Sequence, residues 1–318
     1  MEPELLLNEI QRYTLHPIIY PQIWNMYKKQ LASFWISTEI DFSRDKNDWD
    51  TKLNNNERYF LKHILAFFAS SDGLVGINIL DNFSKEVKIL EAQITYNYQC
   101  TIEGIHSEVY SLMIDTYIDD VDEKHNLFNA ISQISFIKEK ATWILKWTNG
   151  NTHFVKRLLA FVIVEGLFFS GSFCAIFWIK QRGILSGLTK SNEFISRDEG
   201  MHTEFGCLLY SMIINKLDKN EVYGMFKEAV EIESKYITEA LPVKLIGMNN
   251  DLMKQYIKYV ADRLLLDLGY NKIYDVSNPF SFMNNIGLES RSNFFDERTS
   301  TYQKSNFQKE LLISSDDF

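Results

Sequence analysis

The sequence predicts an all-α protein built as a large helical bundle, and three observations carry that prediction. Only 5 prolines and 14 glycines interrupt 318 residues, too few for the turn density of a β-sandwich. Apolar residues recur at helical spacing over long stretches, with no persistent strand-like alternation. No internal repeat of solenoid length is found.

The elements follow in order. Residues 22–38 read as a helix, with Ile23, Met26, Tyr27, Phe34 and Trp35 apolar at helical spacing. Residues 42–55 read as a polar loop. "NNNERYFLKHILAFFASSDGLVGINIL" opens on an Asn-rich capping region and continues as a long apolar helix. Residues 88–117 form another, ended by "YIDDVDEKH". A helix over 123–147 stops at "TNGN", and a very apolar one over 153–182 stops at "QRGILSG". Helices near 190–215, 219–240 and 249–268 complete a helical domain over 1–289. Residues 290–318 are polar and non-periodic and read as a flexible tail.

Composition narrows the function. A hydrophobic fraction of 46% with 14% aromatics suffices for a substantial core. A net charge of −9 argues against nucleic acid, whose binding relies on neutralising phosphates with Lys and Arg. Cys100, Cys174 and Cys207 lie far apart in apolar contexts, as buried free thiols of a reducing compartment do. "MEPELLLNEIQRY" is acidic and lacks a long apolar run, so no signal peptide is expected and the protein reads as cytoplasmic.

Leu158 to Ile179, "LLAFVIVEGLFFSGSFCAIFWI", is long enough to cross a bilayer. Glu165 at its middle decides for a core helix instead of a membrane span. An unpaired buried carboxylate is costly, so it must meet a partner inside the protein.

Such partners exist. In "EGIHSEVY", Glu103, His106 and Tyr110 stand at i, i+3 and i+7, one stripe of a helix roughly 10 Å long. A second Glu-x-x-His pair, Glu199/His202, sits in "FISRDEGMHTEF". With 6 histidines and 42 acids in 318 residues, chance gives about 0.8 such pairs (6 × 42/318). Three occur, and Asp122/His125 reads as a solvated helix start, so spacing alone is weak. Asp72 and Glu165 add force, because both are lone acids in apolar helices. Two acids on two helices plus two Glu-x-x-His pairs fit the ligand set of ferritin-like dimetal carboxylate bundles, with Asp72 replacing a Glu. Carboxylates and imidazoles suit iron and related metals.

The sequence also resembles, across nearly its full length, the radical-generating small subunit of class I ribonucleotide reductase. The stretches that carry this are "ASFWISTEIDFS", "FASSDGLV", "IEGIHSEVYSLMIDTYI", "VEGLFFSGSFCAIFW", "SNEFISRDEGMH", "TEALPVKLIGMN" and "ISSDDF". They are most similar to the eukaryotic and viral branch. The N-terminal extension of some relatives has no counterpart, so regulation residing there is expected to be missing.

The resemblance implies a role for each matching position. Asp72, Glu103 and His106 would ligate one metal and Glu165, Glu199 and His202 the other, with Glu103 bridging. The cofactor would be two iron ions, although manganese shares this ligand set. With O2 the site would leave a stable radical on Tyr110, inside an apolar pocket of Phe169, Phe173 and Ile195. Asp198 would hydrogen-bond His106, Trp35 would continue the path outward, and Tyr302 would relay the oxidising equivalent to a separate large subunit. The terminal "LLISSDDF", with Leu312, Ile313, Asp316, Asp317 and Phe318, resembles the peptide that docks on that partner. A homodimer is implied as well.

Plainer readings stand beside these. His106 and His202 taken alone read equally well as hydrogen-bonded core histidines, Asp72 as a helix cap and Tyr110 as a packing residue. Asp198 could pair with Arg197, and the tail could be a frayed end. A different dimetal oxygen enzyme, an iron store and a scaffold without metal are the competing functions. Tyr110 with a tail tyrosine speaks against the first, the single asymmetric site against the second, and the full ligand set against the third.

Overall fold

The computed structural model describes residues 5–7, 12–148 and 151–283. Among them there is no strand. The α-helices of eight or more residues described in the unit Met1–Phe280 are α1 (Pro21–Ala32), α2 (Asp45–Lys52), α3 (Asn55–Asn78), α4 (Leu90–Tyr117), α5 (Val121–Phe128), α6 (Ser135–Thr148), α7 (Phe154–Ile163), α8 (Ser170–Lys180), α9 (Ser186–Ser211), α10 (Lys219–Lys235) and α11 (Asn250–Asp267).

Local chemistry sets several ends. Asn54 opens α3 through a capping box, its side chain accepting from the N–H of Glu57 while Glu57 accepts from the N–H of Asn54. Asn249 accepts from the N–H groups of Asp251 and Leu252 at the start of α11. Buried Asp45 on α2 accepts from the N–H groups of Gly187 and Leu188 at 2.9 and 2.8 Å and from the hydroxyl of Tyr117 at 2.8 Å. That one carboxylate ties the first turn of α9 to the last residue of α4.

Several boundaries differ from the sequence expectation. The helix expected over 22–38 ends at Ala32, because Arg197 takes the carbonyl of Ser33 and Ile36 is extended. Trp35 therefore leaves the helix and turns into the protein. The polar segment 42–55 contains α2, whose buried face is only Asp45 and Trp49, too short a signal to show as periodicity. The helix expected over 123–147 is broken near Asn129, whose side chain donates to the carbonyl of His125, and at extended Ile134.

The span expected over 153–182 is one rod with a π-turn, Val164–Phe168, between α7 and α8. By length and composition Phe154–Lys180 could cross a membrane, but 94% of its most apolar window is buried by protein. It is the central rod of the bundle, apolar all round because neighbours cover it all round. α3, meeting the same criterion with its extension to Glu86, is 56% buried. α3, α4, the α7–α8 rod and α9 surround the interior where the charged residues collect.

Candidate metal centre

The six ligand candidates come from four rods of this interior. Asp72 lies on α3, Glu103 and His106 on α4, Glu165 in the π-turn, and Glu199 and His202 on α9. None is more than 4% exposed. Glu103, Glu165, Glu199 and His202 place one donor atom each within 4.8 Å of one another, and Asp72, Glu103 and His106 do the same. Glu103 belongs to both groups.

Two carboxylates span the pair of imidazoles. Glu103 reaches His202 Nδ1 through Oε1 at 3.0 Å and His106 Nδ1 through Oε2 at 3.5 Å. Glu199 reaches His106 Nδ1 through Oε1 at 3.0 Å and His202 Nδ1 through Oε2 at 3.4 Å. Only Glu103 was expected in such a position, since the i, i+3 pattern says nothing of contacts across helices. Glu165 Oε2 stands 3.8 Å from His202 Nδ1.

These close approaches lack hydrogen-bond geometry. Asp72 Oδ2, Glu103 Oε1, His106 Nδ1, both oxygens of Glu165, both of Glu199 and His202 Nδ1 are buried atoms with no hydrogen-bond partner. Four carboxylates so placed would be strongly destabilising unless countercharge lies among them. Two divalent cations would balance four negative charges, and the orphaned atoms are hard oxygens and imidazole nitrogens. The residues therefore fit a dimetal site.

Electrostatics agree in direction. Burial, then the charges of Glu103 and Glu199, hold Asp72 well above the ordinary carboxylate range. Glu165 is raised likewise by burial and by Glu199. Burial alone would lower His106 and His202, but the carboxylates around them outweigh it and hold both well above the usual imidazole value. In the metal-free chain protons thus occupy the space where cations would sit, and binding metal releases them.

Around this cluster the remaining candidates fall into two groups. Asp198 Oδ2 accepts from the indole N–H of Trp35 at 2.6 Å and lies 3.3 Å from His106 Nε2. Its Oδ1 accepts from Arg197 at 3.2 Å. This arrangement fits a proton on Nε2, so that Nδ1 of His106 would be the nitrogen free to hold a metal. In the second group, Tyr110 is 3% exposed, and burial followed by the charges of Asp72, Glu199 and Glu103 raises its phenol well above 10. The ring stacked on Tyr110 is Phe68, with centroids 4.9 Å apart and planes at 18°. Phe169 and Phe173 pack on Phe68 at 5.7 and 5.0 Å, and Ile195 is fully buried. Sequence reading missed Phe68, although it stands one turn before Asp72 on the same helix face. Tyr302, Leu312, Ile313, Asp316, Asp317 and Phe318, and the expected boundary at residue 289, lie outside the described residues.

The sequence model of the family described as "Ribonucleotide reductase, small chain" matches residues 12–279. The chain belongs to this family. It is 52% identical over 310 residues to the ribonucleoside-diphosphate reductase small chain of Nicotiana tabacum, covering 98% of this chain and 94% of the relative. It is 53% identical to the small chain of Vaccinia virus (strain Ankara), covering 96% of this chain and 95% of the relative. In three dimensions it is similar to the ribonucleotide reductase Rnr4 homodimer of Saccharomyces cerevisiae, with a TM-score of 0.82 and 37% identity over 95% of this chain and 93% of that one. This small chain is thus all-α with the ferritin-like fold of its family.

Proposed function

We propose that the buried cluster is the dimetal site that makes this chain the radical-generating subunit of ribonucleoside-diphosphate reductase, working with a large subunit in the synthesis of deoxyribonucleotides. One observation carries the site assignment: six metal-type side chains from four rods converge with eight orphaned donor atoms. Asp72, Glu103 and His106 would hold one ion and Glu165, Glu199 and His202 the other, with Glu103 and Glu199 spanning both. The ions are iron in this reading, with manganese the competitor.

When bound, the metal pair supplies O2 activation and the oxidising power to convert Tyr110 to a radical. Tyr110 enters as a neutral phenol, so its oxidation means losing a proton with the electron; the carboxylates whose charges bear on it are the acceptors at hand. Phe68, Phe169 and Phe173 exclude water and reductants from the ring. His106, Asp198 and Trp35 form a hydrogen-bonded line leading away from the cluster, along which an oxidising equivalent leaves. Tyr302 continues it, and the C-terminal peptide ending at Phe318 docks on the large subunit. Two copies of the chain associate, in a cytoplasmic setting.

Adding ferrous iron and oxygen to the metal-free chain tests this reading. Electron paramagnetic resonance should then show a tyrosyl radical; a full load of iron with no such signal would refute it.

A further inference from the structure

A buried ion pair lies against the π-turn that carries Glu165 and supplies no ligand candidate. Lys140 on α6 is fully buried, and its Nζ stands 2.6 Å from Glu233 Oε2 on α10, also fully buried. The same Nζ donates to the carbonyl of Phe168 at 2.7 Å. It lies 3.7 Å from the ring centre of Phe67 and 4.0 Å from that of Tyr236. Desolvating two charges is expensive, and well-packed apolar residues often serve stability as well or better. The pair therefore needs a reason other than stability.

Its contacts supply one. Phe168 closes the π-turn Val164–Phe168, and Glu165 is the second residue of that turn. A π-turn takes in one extra residue, which rotates the helix face beyond it by about 100°. That rotation lets one rod aim Glu165 at the cluster and Phe169 at Phe68. Widened turns disturb the backbone ladder, and side-chain donors meet the two carbonyls at its end: Ser170 Oγ on Leu167 and Lys140 on Phe168, each at 2.7 Å. Just beyond, Glu233 presses on Gly171, where an added Cβ would lie 2.6 Å from Oε1. Lys140 and Glu233 thus grip the rod at two points, one on each side of Phe169.

We propose that Lys140, held by Glu233, is a positioning residue for the metal and radical centre: the pair locks the π-turn so that Glu165 faces the cluster and Phe169 backs the ring stacked on Tyr110. This rests on Glu165 being a ligand.

The test is titration of the metal-free full chain with manganese(II), read as stoichiometry and affinity, with thermal unfolding beside it. The double variant Lys140→Met/Glu233→Gln removes both charges and conserves volume. It should unfold near the wild-type temperature yet bind manganese about 10- to 100-fold more weakly, the usual effect of losing a group that orients a ligand. Glu233→Gln alone takes away the charge that helps Lys140 keep its proton, but the nitrogen, even as a neutral amine, still donates to the Phe168 carbonyl, so affinity should stay closer to wild type than in the double variant. Wild-type affinity in the double variant would overturn the proposal. So would failure of the double variant to fold, which would make the pair a requirement of the fold instead of the site. Glu165→Ala separates the two readings. If it too binds manganese normally, the ligand assignment is wrong; if it alone loses manganese, only the positioning role falls.

Discussion

Trp35 and His106 meet at one oxygen of Asp198, the indole N–H at 2.6 Å and imidazole Nε2 at 3.3 Å. Their rings also stack, with centroids 6.0 Å apart and planes at 27°. A buried carboxylate oxygen shared by two donors leaves little freedom to either. Trp35→Phe keeps an aromatic ring but removes the N–H. Asp198 retains His106 and Arg197, so the stability loss should be about 1–3 kcal/mol. Metal content and the resting Tyr110 radical should survive, while turnover with a large subunit should stop. Undiminished turnover would remove Trp35 from the path.

Tyr110→Phe makes the sharpest cut between metal binding and radical storage. The phenyl ring can keep its stack on Phe68, and no ligand candidate is altered. The radical signal should vanish with metal stoichiometry unchanged. A persisting signal would place the radical elsewhere.

How much of this was legible in the sequence depends on whether the signal was local. Glu103, His106 and Tyr110 were readable because helical spacing alone puts them on one stripe. Asp72 and Glu165 were readable because a lone acid in an apolar run demands a partner. Trp35 was mistaken for a helical residue because its exit depends on Arg197 taking the carbonyl of Ser33, 164 positions away. The π-turn at Val164–Phe168 leaves no mark in periodicity, since neighbouring helices decide it. Lys140 was hidden in "IKEKATW", which looks solvated, although it follows Ile137 by three and precedes Ile144 by four on the buried face of α6.

Metal should act as a structural ligand of the folded chain. Anything bound only by the native state stabilises it, by about 2.7 kcal/mol per site at a hundredfold excess over the dissociation constant. Calorimetry should show the unfolding temperature rising with added metal and falling with chelator. Glu103→Gln removes a ligand candidate and also a charge that helps hold His106 and His202 protonated when metal is absent. The metal-free variant should unfold at or below the wild-type temperature, and its response to metal should be largely lost. A variant as responsive to metal as wild type would contradict the ligand assignment.

Removing residues 312–318 tests the docking peptide. Large-subunit affinity should collapse while the metal site and radical are untouched, because the cluster draws only on α3, α4, α9 and the α7–α8 rod. Equal binding by the shortened chain would refute docking through this segment.

The Lys140–Glu233 pair makes a prediction about pH. Burial, only partly offset by Glu233, lowers Lys140 from 10.5 to about 8. Between about pH 8 and 10.5 the unfolded chain holds a proton that the folded chain has released, so this group makes stability rise across that window. Burial acts oppositely on Glu233, raising it above 4.5 despite the pull of Lys140. Its folded form holds the extra proton, so its contribution is present below pH 4.5 and is lost as pH climbs through the raised value. Unfolding free energies of wild type minus those of Lys140→Met/Glu233→Gln should therefore trace a trough: falling above pH 4.5, low near neutrality and recovering between about pH 8 and 10.5. Metal-free protein of both forms is the right material, because bound metal would add a pH dependence of its own. A flat difference would mean that the pair carries no buried charge, and the grip on the Phe168 carbonyl would then be that of a neutral amine.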